Sequence, residues 1–157
     1  MNYSFIIRRA IPSDSEAIHK ILLEAFKKYQ KVTQISEDVE ALKETIEDIK
    51  IDINKNYVFI ALIDNIPVGT VRLKFLENST ALLSRFAVNL NYHNIGIGKS
   101  MINLIDKIAK NMNLKKVFLY TASKHYDLVK FYYNRGFHID STTKEKGYTR
   151  ALMIKDF

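Results

Sequence analysis

One segment of the chain combines glycines with a lysine between a predicted strand and a predicted helix. From Tyr92 to Ser100 it reads Tyr-His-Asn-Ile-Gly-Ile-Gly-Lys-Ser. The first turn of a helix has backbone amides without partners and a partial positive charge, which together favour an anion. Gly96 and Gly98 have no side chain, so a phosphate can approach the backbone there. The segment predicts a phosphate site, and the alternative is that the two glycines only turn the chain into the helix.

Two common phosphate motifs fail in this segment. The nucleoside-triphosphate loop Gly-x4-Gly-Lys-Ser/Thr needs a glycine five residues before Gly98, where the chain has His93. The dinucleotide fingerprint Gly-x-Gly-x-x-Gly needs a third glycine where the chain has Met101. A nucleoside-triphosphate loop and a dinucleotide fold are therefore excluded as the source of this pattern.

A second segment places tyrosines shortly before a glycine. From Phe131 to Phe137 it reads Phe-Tyr-Tyr-Asn-Arg-Gly-Phe. A positioned tyrosine can donate a proton or a hydrogen bond to a reacting group. Adjacent residues of a helix point about 100° apart, so only one of Tyr132 and Tyr133 can face a given site. The alternative for either is an aromatic residue of the core.

The two segments together resemble the GNAT family of N-acetyltransferases. Gly96 and Gly98 match its acetyl-coenzyme A motif Arg/Gln-x-x-Gly-x-Gly/Ala, with His93 where Arg or Gln is usual. Phe86-Ala87-Val88 and the following Tyr92 resemble the strand end and tyrosine before that loop, with Leu90 in place of a frequent proline.

The tyrosine segment resembles the second motif of the same family, Leu/Phe-Tyr-x-x-x-Gly-Phe. Counting four residues back from Gly136 selects Tyr132, and Tyr133 is expected to be a packing or surface residue. The resemblance implies that acetyl-coenzyme A is the cosubstrate and that its acetyl group passes directly to a primary amine, with no metal. It implies that Tyr132 protonates the departing thiolate or holds it by a hydrogen bond.

The resemblance also implies where the cosubstrate binds. The backbone of Phe86 and Val88 would pair with the pantetheine arm like an added strand, and an amide near Ala87 or Val88 would hold the thioester oxygen. His125 lies where the family often places an asparagine that binds pantetheine. The pyrophosphate would lie on the amides of Asn94, Ile95, Gly96, Ile97, Gly98 and Lys99.

The base that deprotonates the amine is not assigned by the resemblance. Some relatives use a glutamate at positions where this chain has Leu82 and Tyr120. Glu24 is a candidate base, with a solvated helix carboxylate as the alternative reading, and a chain of water molecules serves equally well.

The acceptor has two competing descriptions. Acidic residues crowd the second predicted helix, where they form either a solvated face or a wall that attracts a cationic amine. Arg85 and Arg150 would instead hold an anionic acceptor, unless they are surface arginines. The acidic residues are Glu37, Asp38, Glu40, Glu44, Glu47 and Asp48.

The elements that must position these residues follow from hydrophobic spacing and turn residues. Their order is β-α-α-β-β-β-α-β-α-β-β, an α/β fold with a mixed, mostly antiparallel twisted sheet. A central β-α-β crossover should make the strands at 80–88 and 117–121 parallel neighbours. A Ser13–Glu16 capping box should open the first helix. The predicted strands are 3–9, 57–63, 67–76, 80–88, 117–121, 137–143 and 148–154, and the predicted helices begin at 13 and span 36–50, 96–113 and 126–135.

Composition limits the remaining function classes. The 157 residues predict one domain, and the absence of cysteine excludes disulfides, a zinc finger and a cysteine nucleophile. We expect a cytoplasmic location, because neither a membrane-length apolar run nor a signal-peptide core is present. The net charge of +7 divides into −1 for residues 1–80 and +8 for residues 81–157. A basic half suits coenzyme A, which carries a pyrophosphate and a further phosphate.

Three function classes remain in competition. The first is the N-acetyltransferase, acting on a small-molecule amine, and the second is a non-catalytic acetyl-coenzyme A sensor on the same fold. The third is a basic nucleic-acid-binding domain, which the dispersed lysines and the absence of a recognition motif disfavour. We expect no nucleic-acid or membrane partner, and a homodimer through the final hairpin is a further hypothesis.

Overall fold

A computed structural model describes residues 4–35 and 39–157. The described residues form a seven-stranded sheet in the order β1-β2-β3-β4-β5-β7-β6, with single 3-10 turns at Pro12–Asp14 and Leu90–Tyr92. The elements, in chain order, are β1 (Phe5–Arg9), α1 (Ser15–Thr33), α2 (Glu40–Lys43), α3 (Ile46–Lys55), β2 (Tyr57–Ile63), β3 (Ile66–Leu76), β4 (Thr80–Val88), α4 (Ile97–Asn111), β5 (Lys116–Ala122), α5 (Tyr126–Asn134), β6 (His138–Thr143) and β7 (Arg150–Asp156).

The sheet is covered by helices on both faces. Strand residues alternate between faces, so Phe59 and Ala61 of β2 join one core while Val58 and Ile60 join the other. The first core is completed by α4 and α5, and the second by α1 and α3. Burial on both faces explains why β2 is a continuous apolar run without polar alternation. The predicted mixed, mostly antiparallel α/β sheet is confirmed.

The predicted crossover is confirmed, and it creates an opening in the sheet. β4 and β5 are parallel and pair only from Thr80 to Leu82 with Lys116 to Phe118. Beyond Leu82 the two strands no longer pair, although β4 continues to Val88 and stays bonded to β3. The unpaired ends therefore leave a cleft between β4 and β5, in the middle of the sheet.

Two helix predictions require correction. The 3-10 turn replaces the Ser13–Glu16 capping box, because the carboxylate of Asp14 accepts the Ile11 amide and pairs with Arg8. The predicted 36–50 helix is interrupted at Glu44 and continues to Lys55. Thr45 begins the second part, because its hydroxyl accepts the Asp48 amide and Asp48 accepts the Thr45 amide in return.

Parts of the predicted elements lie outside the described residues. These are Tyr3 at the start of the first strand, and Ser36, Glu37 and Asp38 at the start of the second helix. The turn between β2 and β3 has Asp64 and Asn65 in the left-handed region. The turn between β3 and β4 has Asn78 and Ser79 as its left-handed pair. The predicted closing hairpin is present, and β7 lies between β5 and the edge strand β6.

Candidate active site

The cleft between β4 and β5 is a cavity of about 610 Å³. Its walls come from α1, the second half of β4, the loop before α4, the first turn of α4, the end of β5 and α5. Of the residues that the resemblance assigns to cosubstrate binding or to catalysis, all except Ile95 line it: Phe86, Ala87, Val88, Asn94, Gly96, Ile97, Gly98, Lys99, His125 and Tyr132. Ile95 is an exposed residue outside this lining. The fold thus gathers distant segments around one cleft.

The first turn of α4 presents free backbone amides to the cleft. The first bond within the helix runs from the Ser100 amide to the Gly96 carbonyl, so the amides of Ile97, Gly98 and Lys99 precede the hydrogen-bonded ladder. Gly96, which caps the helix, has φ of 89° and makes no side-chain cap bond. A Cβ on Gly96 would meet no atom within 4 Å, so space stays open above this turn. The turn has the geometry of an anion site.

Packing, as well as the approach of a phosphate, explains why position 98 is a glycine. A Cβ added there would lie 2.9 Å from Cζ of Phe86. The Phe86 ring stacks on Phe131 with centroids 5.5 Å apart, so it has little room to move away. The absence of a side chain at Gly98 lets two aromatic residues of the cleft pack beneath the amides.

The backbone of β4 presents alternate groups to the cleft. The Asn89 amide donates to the Val68 carbonyl, and Ala87 stands opposite Thr70 in the same register. Because antiparallel bonds alternate, Ala87 faces β3 and the amide and carbonyl of Val88 face away from it. The Val88 carbonyl already has a partner, since Nε2 of His93 lies 3.1 Å away. The free group of Val88 is therefore its amide.

A bulge interrupts β4 at Arg85. The register against β3 shifts between Thr70 and Arg72, and Arg85 has φ of 51°. Such a left-handed residue adds local strain, which structures retain where neighbouring contacts impose it. Nε of Arg85 lies 3.6 Å from a carboxylate oxygen of Glu44, which holds the side chain at the cleft wall.

Tyr132 projects from α5 into the cleft while its ring belongs to the core. The ring packs against Phe86, Phe131 and Phe137 with centroids 5.5 to 5.8 Å apart. The side chain is 4% exposed, and burial raises the pKa of its hydroxyl well above the usual range. The hydroxyl is therefore protonated at every physiological pH. Tyr133 is 65% exposed, as predicted for the neighbour that faces away.

His125 caps the helix that carries Tyr132. Its Nδ1 accepts the Leu128 amide at 3.3 Å, so the neutral ring carries its proton on Nε2. Burial lowers the pKa of His125 below 6.5, which keeps the ring neutral at pH 7. With one nitrogen used by the cap, the ring can offer the cleft an N–H donor and no free acceptor.

Tyr29 lines the cleft and had not been singled out from the sequence. Its hydroxyl accepts the Ala122 amide at 2.5 Å, which connects α1 to the end of β5. Its ring lies 5.4 Å from that of His125, and burial raises the pKa of its hydroxyl to about 12. In the sequence Tyr29 is one of several apolar-face residues of a helix, so only the long-range bond reveals it.

Two acidic residues of the second predicted helix, Glu40 and Glu44, are paired with cations near the cleft. Both terminal nitrogens of Arg72 donate to Glu44, at 2.7 and 2.5 Å, and one also donates to Asp52 at 2.8 Å. Lys146 donates to Glu40 at 2.5 Å, and this contact lowers the pKa of Glu40. Glu40 and Glu44 are therefore not free carboxylates.

Other sequence hypotheses concern the base, metals and membranes. Glu24 is exposed on α1 and is not part of the cleft lining. Within residues 4–35 and 39–157, no group of three His, Asp or Glu residues could hold a metal ion. None of the helices in this part of the chain is both long and apolar enough to cross a membrane.

Comparisons with known proteins identify the family and the fold. The model of the acetyltransferase (GNAT) family matches residues 16–137, more than half of the chain. Among solved structures, the PaiA N-acetyltransferase of Thermoplasma acidophilum in complex with coenzyme A superposes with a TM-score of 0.84 at 21% identity, over 98% of this chain and 99% of that one.

Two further structures share the fold. A GNAT-family acetyltransferase of Staphylococcus aureus gives a TM-score of 0.77 at 21% identity, covering 98% of this chain and 99% of that one. YncA of Salmonella typhimurium, with its cofactor acetyl-CoA, gives 0.75 at 12% identity, covering 98% and 94%. No curated protein matches the chain. From the family match, the sheet and the cleft together, we conclude that the chain belongs to the GNAT family of acetyltransferases.

Proposed function

We propose that this protein transfers the acetyl group of acetyl-coenzyme A to a primary amine of a small molecule. One observation carries the proposal: the free amides at the start of α4 and the Tyr132 hydroxyl line the same cleft. The amides suit a pyrophosphate and the hydroxyl suits a leaving thiolate, as the two ends of one cosubstrate require. The coenzyme A bound in two structures of the same fold supports this occupant.

The residues present fit coenzyme A. Open space above Gly96 and the free amides of the first turn of α4 would hold the pyrophosphate, with Lys99 as a nearby cation. The free amide of Val88 on the unpaired side of β4 would bond the pantetheine arm or the thioester oxygen. The Val88 carbonyl already lies against Nε2 of His93, and its second lone pair could accept a hydrogen bond from pantetheine. His125 would donate its Nε2 proton.

The transfer needs one bond formed and one broken. The amine nitrogen bonds to the thioester carbon, the carbon–sulfur bond breaks, and the amine proton is balanced by the proton gained by the thiolate. A thiol has a pKa near 8.5, below that of the buried Tyr132 hydroxyl. Tyr132 is thus a poor proton donor to a thiolate but a good hydrogen-bond donor, so we assign it the stabilisation of that charge.

Proton removal from the amine is assigned to water. Glu24 lies outside the cleft, and Glu40 and Glu44 already have cationic partners. Asp127 is an acidic residue of the lining and lies in the first turn of α5. His125 is excluded as the base while its Nδ1 caps the helix.

A thiol-release assay tests the proposal. The protein is incubated with acetyl-coenzyme A and a panel of primary amines, and free thiol is followed by a chromogenic reagent. We expect release that depends on the amine and falls in Tyr132→Phe, with Tyr133→Phe as the matched control because that ring is exposed. Micromolar binding of acetyl-coenzyme A without turnover over a broad panel supports the non-catalytic sensor instead. Absence of binding contradicts both.

A further inference from the structure

A second, smaller cavity lies beside the cleft. It measures about 260 Å³ and is lined by Val39, Glu40, Lys43, Lys146, Tyr148 and Arg150. Tyr148 contacts Tyr29 of the cleft wall through their hydroxyls. The Arg150 guanidinium lies 4.5 Å above the ring of Tyr120, which lines the cleft itself. The two cavities therefore share a boundary.

The charges around this boundary are not balanced within the described residues. Arg72 forms ion pairs with Glu44 and Asp52, and Arg85 forms one with Glu44, so two carboxylates offset these two arginines. Lys146 is offset by Glu40.

Arg150 forms no ion pair with a carboxylate of the described residues. It acts on Glu40 only through space, as does Arg85, so three cations surround the one carboxylate of Glu40. Among the described residues, the boundary thus has a surplus of positive charge.

One hydrogen-bond donor of Arg150, its Nε, has no acceptor among the described residues. This Nε is buried, while the planar face of the guanidinium is held by the Tyr120 ring. Nε of Arg85 is likewise buried without a hydrogen bond, and its residue is kept in a left-handed conformation. A guanidinium fixed in this way is suited to bidentate binding of a carboxylate.

We propose that the acceptor amine carries a carboxylate, and that Arg150, assisted by Arg85, binds it at the boundary between the two cavities. This inference rests on the proposed acetyl transfer and names the substrate class of the same site. It selects amino acids or related amino carboxylates over polyamines, because a second cation would meet the surplus positive charge.

Matched acceptors separate charge from shape. We suggest L-phenylalanine, L-methionine, L-glutamate and L-lysine, each compared with its α-carboxamide, and putrescine as a dication. The carboxamide has the more readily deprotonated amine, so intrinsic reactivity works against the expected order. In the wild type we expect kcat/KM for at least one amino acid to exceed that for its carboxamide by about 10- to 100-fold, since the lost contacts are charge-assisted.

Variants of Arg150 then test whether this residue causes the preference for the carboxylate. Arg150→Gln should raise KM for the amino acid and bring the ratio of kcat/KM between the amino acid and its carboxamide close to one. Arg150→Lys should recover part of the preference. Arg9→Gln is the matched control, because Arg9 lies over the Tyr57 ring at 4.0 Å and lines neither cavity. A wild-type preference for carboxamides or putrescine overturns the proposal, as does an equal loss on both acceptors in Arg150→Gln.

A binding measurement tests the arginine site even if the protein does not catalyse acetyl transfer. If no amine releases thiol, the proposed function fails, and calorimetry in the presence of coenzyme A compares the N-acetyl amino acids with their N-acetyl amides. Binding of the carboxylates alone, weakened about tenfold or more in Arg150→Gln, supports the arginine site. Equal binding of both series, or binding of neither, contradicts it.

Discussion

Neutralising Glu44 is expected to destabilise the fold rather than weaken acceptor binding. The Glu44 side chain is 11% exposed and that of Arg72 is 4% exposed, and two short hydrogen bonds join them. Removing one partner of a buried ion pair costs about 3–5 kcal/mol. In Glu44→Gln the amide oxygen still accepts one bond and Asp52 still pairs with Arg72, so we expect a smaller loss of about 2–3 kcal/mol.

The assay combines unfolding with kinetics. A loss of that size lowers the melting midpoint by about 4–12 °C for a chain of this length. Glu47→Gln is the matched control, because Glu47 is 77% exposed and its contact to Lys50 at 3.4 Å is worth less than about 1 kcal/mol. The KM for amine acceptors that lack a carboxylate should not rise in Glu44→Gln, because Arg85, which Glu44 contacts, is not needed to bind them. A tenfold rise in that KM with an unchanged melting midpoint would show that Glu44 binds the amine instead of being occupied by Arg72.

Three further variants probe the walls of the cleft. His125→Asn keeps an acceptor for the Leu128 amide but cannot be protonated. Because burial lowers the pKa of His125, the wild type should lose stability as pH falls below about 6.5. Urea unfolding between pH 7.5 and 5 should show this loss in the wild type and not in the variant. Gly96→Ala should cost about 1–2 kcal/mol in thermal unfolding because φ is 89°, whereas Gly96→Asn should cost less; equal losses would refute the backbone argument. Gly98→Ala should push the Phe86 ring into the cleft and weaken coenzyme A binding about tenfold by calorimetry, and unchanged affinity would contradict the packing described for it.

The strands were predictable because local signals bound them. β2 and β4 begin and end where the sequence predicted, since each is an apolar run between turn residues. The interruption at Glu44 was missed because its cause is distant: Glu44 turns out of the helix to pair with Arg72 of β3. A local sign existed in the Thr45–Asp48 capping box. The insertion of β7 between β5 and β6 has no local sign, because it depends on pairing across the sheet.

The parts of the site that could be predicted are those that lie within short sequence motifs. The α4 turn and Tyr132 depend on spacings of a few residues, and both line the cleft. Tyr29 could not be recognised in the same way, and the sequence named Arg85 as an acceptor residue without indicating the contacts that place it in the cleft wall. Tyr29 acquires its place through a bond to Ala122, 93 residues away, and Arg85 through a bulge fixed by β3 and Glu44. Their contribution depends on tertiary contacts that no spacing records.

The central claim is tested most directly by counting both products of one reaction. Acetyl-coenzyme A is mixed with an amine that releases thiol, and mass spectrometry measures the N-acetylated amine formed per thiol. We expect one acetylated amine for each thiol in the wild type. In Tyr132→Phe, kcat should fall by about 10- to 100-fold, with unchanged affinity for coenzyme A and an unchanged melting midpoint, since only a hydrogen bond to a charged group is lost. Thiol release without acetylated amine, or full activity in Tyr132→Phe, would contradict this account.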